Sequence, residues 1–154
     1  MTHIQAFNHY RRPSGHYGAP RLQTDTSMDL WLSNGHHVML VQRRAIELQV
    51  MVEMLNVLGY RVTTAKDCGK ALLRFSREPC EVVICELDMP DFNGFQLAQL
   101  IRKHSPRTHI LLMTACCQAE VVDYMDRGVV DGWLFKPFRI DAINDMLKGL
   151  FDSE

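Results

Sequence analysis

The sequence carries almost no net charge, contains no membrane-length apolar run and lacks the cysteine spacing of a disulfide framework. Its 17 Lys and Arg residues nearly balance its 18 Asp and Glu residues, so the formal net charge is −1. That balance gives no general electrostatic attraction to nucleic acid or to an acidic membrane surface. No apolar run approaches the roughly 18 residues that a membrane-spanning helix needs, and the N-terminus lacks a signal-peptide pattern. We therefore expect neither a nucleic-acid partner nor a membrane partner.

The cysteine content points to a reducing compartment. The five cysteines are an odd number without regular spacing, which argues against a disulfide-rich secreted domain. We expect a cytoplasmic protein. Apolar residues, by contrast, are plentiful: 47% of the 154 residues are hydrophobic, which is enough for one domain with a substantial core.

The first part of the chain differs in composition from the rest. Residues 1–35 are rich in proline, glycine and small polar residues, and no helical or strand period persists there. We interpret them as a mostly disordered N-terminal arm, followed by a folded domain at residues 36–154. A small apolar cluster, Met-Asp-Leu-Trp-Leu at residues 28–32, interrupts the arm. It could be a patch against the domain, a helical turn entering it, or a docking motif for another protein.

From residue 37 onward, short apolar runs alternate with helical patterns. The continuous apolar run at 38–41 is typical of a strand buried on both faces. In the first helix, apolar residues four apart predict a buried stripe. The stripe comprises Ile46, Val50, Met54 and Leu58. Predicted strands are 38–41, 61–65, 82–85, 110–113 and 133–135; predicted helices are 44–58, 67–77, about 95–105, 119–127 and about 140–150. This alternation implies an α/β fold with a parallel sheet covered on both faces.

Polar residues directly follow three of these strands. Glu86 follows the third strand, Thr114 the fourth and Lys136 the fifth. Because the carboxyl ends of parallel strands meet at one edge of a sheet, we expect these side chains to share one crevice. A Met-Pro pair follows Glu86 after two residues, and Gly94 lies four residues beyond the proline.

Together these motifs resemble the receiver domain of bacterial two-component response regulators, over about residues 36–151. The resemblance implies a flavodoxin-like, doubly wound sheet of five parallel strands in the order 2-1-3-4-5, with five helices. It also places the functional crevice at the ends of the first and third strands. By position, Glu86, Thr114 and Lys136 match the family's acceptor, switch hydroxyl and lysine, and Trp133 matches its switch aromatic.

The sequence departs from the family at the residues that carry phosphorylation. Glu86 stands where the family has its phosphorylatable aspartate, and Gln42 and Arg43 stand where it has its magnesium-binding acidic pair. An amide is a weak ligand for magnesium, and a guanidinium places positive charge where the metal should sit. Glutamate is also longer by one methylene, about 1.5 Å of reach, and such a misplacement can cost on the order of 100-fold in rate. We expect no metal, no cofactor, no phosphoryl transfer and no enzymatic activity.

A buried Glu86 carboxylate needs a cationic partner, because an unpaired buried charge is costly. Either Lys136 or Arg43 could supply it. Glu86 would then mimic a phosphoaspartate, or it would only form a structural ion pair that replaces the metal. Asp88 and Asp91 flank the Met-Pro pair and are expected to be solvated turn residues.

The predicted function is that of a stand-alone pseudo-receiver that binds a protein partner without phosphorylation. Because the chain ends just after the last predicted helix, no effector domain is expected to follow. The family commonly uses the surface of about residues 119–151 for partners and for homodimers. Six apolar residues make this surface apolar for its expected exposure: Val121, Val122, Tyr124, Met125, Val129 and Val130.

Two alternatives to the pseudo-receiver stay open. One is a phosphoryl-accepting regulator that tolerates the substitutions. The other is a thiol redox sensor that uses Cys85, Cys116 or Cys117, although buried or half-buried inert thiols are the plainer interpretation.

Overall fold

A computed structural model describes residues 35–125 and 128–153. The predicted disordered arm falls on residues 1–34 and on Gly35. Only Gly35 belongs to the described residues, so the prediction for the rest of the arm lies outside them.

Five strands and five helices alternate along the described residues, as the sequence pattern predicts. The strands are β1 (His37–Val41), β2 (Arg61–Ala65), β3 (Val82–Glu86), β4 (His109–Thr114) and β5 (Gly132–Phe135). The helices are α1 (Ala45–Val57), α2 (Cys68–Arg77), α3 (Gly94–His104), α4 (Gln118–Met125) and α5 (Ile140–Asp152).

The strands form one parallel sheet in the order β2-β1-β3-β4-β5. This confirms the predicted flavodoxin-like order. Every residue of β1 and β3 is buried, because helices cover both faces of the sheet. α1 and α5 pack on one face, and α2 and α3 pack on the other.

Local signals explain where several helices begin and end. The Asp67 carboxylate accepts a hydrogen bond of 2.7 Å from the Lys70 N–H at the start of α2, as its predicted capping role requires. Gly59 follows α1 with a φ of 95°, the left-handed conformation that glycine adopts readily after a helix. A capping box between Asn93 and Gln96, which the sequence analysis did not identify, begins α3.

The predicted buried stripe of α1 is confirmed for Met54 but wrong for Ile46 and Val50. The helix buries Met51, Met54 and Leu55, whereas Ile46 is 79% exposed and Val50 39% exposed. Four residues turn a helix by about 400°, so a stripe with a strict spacing of four drifts by about 40° at each step. The observed face combines spacings of three and four residues. Leu48, Val52 and Val57 are partly buried beside it, and Ile46 and Val50 are exposed outside it.

A close backbone contact fixes the end of β3 against the start of α3. A Cβ atom at Gly94 would lie 2.5 Å from the backbone oxygen of Glu86. The Gly94 N–H also donates to the Leu87 carbonyl over 2.9 Å. Only glycine fits here without displacing the backbone, so this contact positions the segment that carries Glu86.

Candidate functional site

Glu86 lies at the carboxyl end of β3 and is 6% exposed. Its Oε1 accepts a hydrogen bond of 3.1 Å from Nε2 of Gln42, which directly follows β1. The same Oε1 accepts from Nζ of Lys136, which directly follows β5. The crevice predicted from the strand ends is therefore present, and it brings Glu86, Gln42 and Lys136 into direct contact.

Lys136 contacts a second carboxylate that the sequence analysis did not identify. Its Nζ donates to Oε2 of Glu47, in the first turn of α1, over 2.9 Å. Burial alone would lower the pKa of Lys136, but the hydrogen bonds and charges of Glu86 and Glu47 raise it above the ordinary value. An acidic residue in the first turn of a helix is usually explained by the helix dipole. The sequence position of Glu47 therefore did not indicate a contact with Lys136.

Arg43 lies at the same rim but contacts a different carboxylate. Its Nη2 donates to Oδ2 of Asp88 over 3.3 Å. Both side chains are largely exposed, so this pair contributes little to stability. Of the two cations proposed for Glu86, the structure places Lys136 on it.

Asp91 is more than the solvated turn residue that we expected. Its two carboxylate oxygens accept from the backbone N–H groups of Cys68, at 3.2 Å, and Gly69, at 2.8 Å, at the start of α2. Burial would raise the pKa of the Asp91 carboxyl, but hydrogen bonds from Gly69, Phe92 and Cys68 lower it. Asp91 therefore ties the loop after β3 to the N-terminus of α2.

The two residues predicted as switch positions, Thr114 and Trp133, make no hydrogen bond to Glu86 among the contacts of the described residues. Thr114 is buried, and its Oγ1 accepts from the Cys116 N–H over 3.0 Å. The backbone N–H of Lys136 donates to the Thr114 carbonyl over 2.8 Å. Trp133 is half-buried, with its ring centroid 6.4 Å from that of Tyr124 and 6.3 Å from that of Phe135.

The cysteines divide into buried and exposed groups. Cys85 is buried, its Sγ lies 4.0 Å from Sγ of Cys68, and burial raises the pKa of its thiol well above the ordinary value. Such a thiol forms little of the reactive thiolate. Cys116 and Cys117 are exposed, so the prediction of buried or half-buried thiols is wrong for these two.

The residues at the rim do not fit a magnesium ion. Magnesium requires oxygen ligands, usually carboxylates, and here an amide and an ammonium group contact the Glu86 carboxylate. Within residues 35–125 and 128–153, no group of three or more His, Cys, Asp or Glu side chains is arranged to hold a metal ion.

The surface predicted for partner binding is less apolar than expected. Val121 is 2% exposed, and Tyr124, Val129 and Val130 are partly buried against the core, whereas Val122 is 51% exposed. A shallow groove of about 530 Å³ nevertheless lies between β5 and α5. Its lining includes Trp133, Phe135, Phe138 and Met146. No helix in the described part of the chain is long and apolar enough to cross a membrane.

A five-stranded parallel sheet with charged residues gathered at its carboxyl rim defines a receiver-type α/β domain. The family model of the response regulator receiver domain matches residues 38–148. The chain belongs to this family.

Similar proteins include regulators and sensor kinases. The chain is 32% identical to the probable transcriptional regulator ycf27 of Guillardia theta over 111 residues, 72% of this chain and 43% of that protein. It is 28% identical to the sensor histidine kinase RcsC of Salmonella typhi over 110 residues, 71% of this chain and 12% of that protein. The chain thus spans less than half the length of these relatives.

Solved structures share the fold. The response regulator TrrA of Thermotoga maritima, determined in complex with Mg²⁺-BeF, matches with a TM-score of 0.69 and 25% identity, over 75% of this chain and 98% of that one. A receiver domain protein of Methanospirillum hungatei matches with a TM-score of 0.72 and 19% identity, over 77% and 94% of the two chains.

Proposed function

We propose that this receiver domain is a pseudo-receiver, which acts in two-component-type signal transduction by binding a protein partner without phosphorylation. The observation that carries the proposal is the ion pair between Glu86 and Lys136. Together with the Gln42 amide, this pair occupies the carboxylate that stands where the family has its phosphoryl acceptor.

The chemistry of phosphoryl transfer supports the same conclusion. The charge that develops on the phosphoryl oxygens must be neutralised, normally by a metal held on carboxylates. The residues at the magnesium positions are Gln42 and Arg43. Gln42 donates to Glu86, and Arg43 donates to Asp88, so neither provides a carboxylate ligand. At these positions the chain therefore has neither the aspartate acceptor nor the carboxylate ligands that would hold the metal.

We further propose that Glu86 supplies a permanent negative charge in place of a phosphorylated aspartate. Its effect would pass through Lys136. The Nζ of Lys136 donates a hydrogen bond to the Glu86 carboxylate, and its backbone N–H donates to the Thr114 carbonyl. Lys136 therefore links the charge to the end of β4, and it follows the β5 segment that contains Trp133. The competing interpretation is that the pair is purely structural.

The proposed partner surface is residues 119–151, and the partner is a protein. The groove between β5 and α5, with Phe138 and Met146 in its lining, offers apolar area for such a contact. Because one end of β5 leads directly into Lys136, this surface is the one best placed to respond to Glu86. A second copy of the chain is one candidate partner.

Incubation with a small acyl phosphate and magnesium, followed by intact mass measurement, tests the absence of phosphorylation. We expect no phosphoryl adduct. An adduct on Glu86 or Asp88 would instead support a phosphoryl-accepting regulator.

Partner binding is tested by quantitative affinity capture. Glu86→Gln keeps the shape of the side chain and removes its charge, so we expect weaker binding of the captured partner or weaker self-association. Glu53→Gln makes the same change on an exposed position of α1 and serves as the matched control. Equal capture by both variants would leave Glu86 as a structural residue only.

A further inference from the structure

An apolar groove lies between α1 and the segment that follows β5. It has a volume of about 250 Å³, and its apolar lining comprises Ile46, Val50, Met51, Met54, Pro137 and Phe138. Glu47 and Lys136 line the same groove, so it adjoins the charged cluster at the rim. Ile46 and Val50, the two residues that the predicted stripe of α1 wrongly buried, are exposed along it. Apolar grooves are a recurring way in which proteins bind peptide segments.

The described chain begins on the face of the sheet that carries this groove. The ring of His36 stacks on that of Phe151 in α5, with centroids 3.7 Å apart. The His36 carbonyl accepts from the Arg61 N–H over 3.0 Å, just beyond the carboxyl end of α1. α1 and α5 cover the same face of the sheet. Residues 1–34 therefore precede a point on the face that carries the groove, close to the end of the helix that forms one of its walls.

The length of the preceding chain matches the distance to be covered. With a rise of about 1.5 Å per helical residue, Met54 and Ile46 lie about 5 and 17 Å from the carboxyl end of α1. An extended chain advances about 3.3 Å per residue, so residues 28–32 can reach between about 13 and 26 Å from His36. The segment is therefore long enough to reach the groove from His36.

We propose that residues 28–32, Met-Asp-Leu-Trp-Leu, bind this groove in the same molecule, with Trp31 as the main apolar contact. Four of the five residues are apolar, and they form the densest apolar cluster before residue 36. Binding within one chain requires little affinity, because the linker from residue 33 to residue 35 keeps the local concentration of the segment high. The bound segment would cover the α1 side of the rim, next to Glu47 and Lys136. It would share Pro137 and Phe138 with the groove between β5 and α5, whose other side, at Trp133 and Met146, stays open for a protein partner.

The accessibility of Trp31 tests this proposal. The chain has two tryptophans, Trp31 and Trp133, so Trp133→Phe in the full chain makes Trp31 the single reporter. We expect iodide to quench Trp31 poorly, and Ile46→Asp with Val50→Asp to increase the quenching constant several-fold. Leu73→Asp, at a residue that is 51% exposed on α2, introduces a charge on the opposite face and should leave quenching unchanged.

Three outcomes would overturn the proposal. Trp31 could be fully accessible in the chain with an intact groove, its protection could be unaffected by the groove variants, or its protection could vanish on dilution. The last result would mean that a second copy provides the groove. If Trp133→Phe disturbs folding, methyl NMR of the chain that retains Trp133 replaces it: Trp31→Ala should shift the methyl resonances of Val50 and Met54 but not those of Leu73. Unshifted Val50 and Met54 resonances would equally refute the proposal.

Discussion

The two halves of the rim differ in what they keep of a receiver site. At the ends of β1 and β3, the positions of the acidic pair and the acceptor hold Gln42, Arg43 and Glu86. At the ends of β4 and β5, Thr114 and Lys136 match the positions to which the family resemblance assigns signal transmission. In the proposed function, the half that would perform the phosphoryl chemistry is altered and the half that would transmit its effect is retained. This difference is the basis for proposing a protein that holds a signalling state rather than one that acquires it.

Lys136 contacts residues of both halves of the rim. It contacts Glu86 at the end of β3 and Glu47 on α1, while its backbone is bonded to Thr114 on β4. A substitution of Lys136 is therefore expected to have the largest effect.

Lys136→Met should destabilise the domain by about 3 kcal/mol, because it leaves the buried Glu86 carboxylate without its cation. The free energy of unfolding in urea at neutral pH measures this. Combining it with Glu86→Gln should recover a large part of the loss, since the buried charge is then removed as well. Lys70→Met, which breaks an exposed pair with Asp67, is the control and should cost less than about 0.5 kcal/mol. Equal losses in the two lysine variants would contradict a buried pair.

The pH dependence of the same pair has a defined sign. The pKa of Lys136 is raised in the folded protein above its ordinary value of 10.5. The stability that the charged ammonium provides is therefore complete below about pH 10.5, and it is lost as the pH rises through the folded-state pKa. We expect the stability difference between wild type and Lys136→Met to be constant near neutral pH and to narrow above pH 10.5. A difference that stays constant across that range would show that the pair is not its source.

Restoring phosphorylation should require metal ligands as well as an aspartate in place of Glu86. Glu86→Asp alone should not be labelled by an acyl phosphate with magnesium, because Gln42 and Arg43 still provide no metal site. Glu86→Asp together with Gln42→Asp and Arg43→Asp should be labelled on the order of 100-fold faster than the single variant, because the added carboxylates can hold the metal that neutralises the phosphoryl charge. Intact mass measured over time decides this. Efficient labelling of the single variant would disprove the argument from the metal positions.

Removing only the charge of Glu86 should have a smaller effect, and that effect should extend to α4 and β5. Glu86→Gln weakens the contact with Lys136 by about 1 kcal/mol, which corresponds to a roughly five-fold change in local opening. We expect faster amide exchange in residues 118–125 and 128–138, and no change in α2. If Glu86→Gln folds normally and exchange in both segments equals that of wild type, the two halves of the rim are not coupled.

The smallest effect is expected from the N-terminal arm. Removing residues 1–27 keeps the Met28–Leu32 cluster, and it should change the free energy of unfolding by less than about 1 kcal/mol. Urea unfolding of the shortened chain measures this. A larger loss would mean that residues before Met28 pack as part of the domain.

The family resemblance predicted the strand order, and the sequence pattern predicted that Glu86, Thr114 and Lys136 gather at one rim. Strands buried on both faces produce continuous apolar runs, and the residue that follows each run marks the carboxyl edge. The choice of partner could not be predicted in the same way. Lys136 and Arg43 were both candidates for Glu86, and only the three-dimensional positions of the side chains assign Lys136 to Glu86 and Arg43 to Asp88.

The sequence pattern also failed to predict the rotation of α1 and the exposure of the loop after β4. α1 has apolar residues on several sides, so spacing alone did not reveal that Met51 and Leu55 face the core while Ile46 faces outward. The same rotation brings Glu47 to Lys136. Cys116 and Cys117 follow a buried strand directly, yet both are exposed, because the loop leaves the sheet within two residues of Thr114.

The stacking of His36 on Phe151 places the lead-in to β1 beside the last turn of α5. The two ends of the described domain therefore lie beside each other, at His36 and Phe151. A domain whose two ends adjoin can be inserted into a loop of a larger protein without forcing that loop apart. This geometry allows such a domain to be joined to or inserted into larger proteins. In the relatives, the matching segment makes up 12% of the sensor kinase of Salmonella typhi and 43% of the regulator of Guillardia theta.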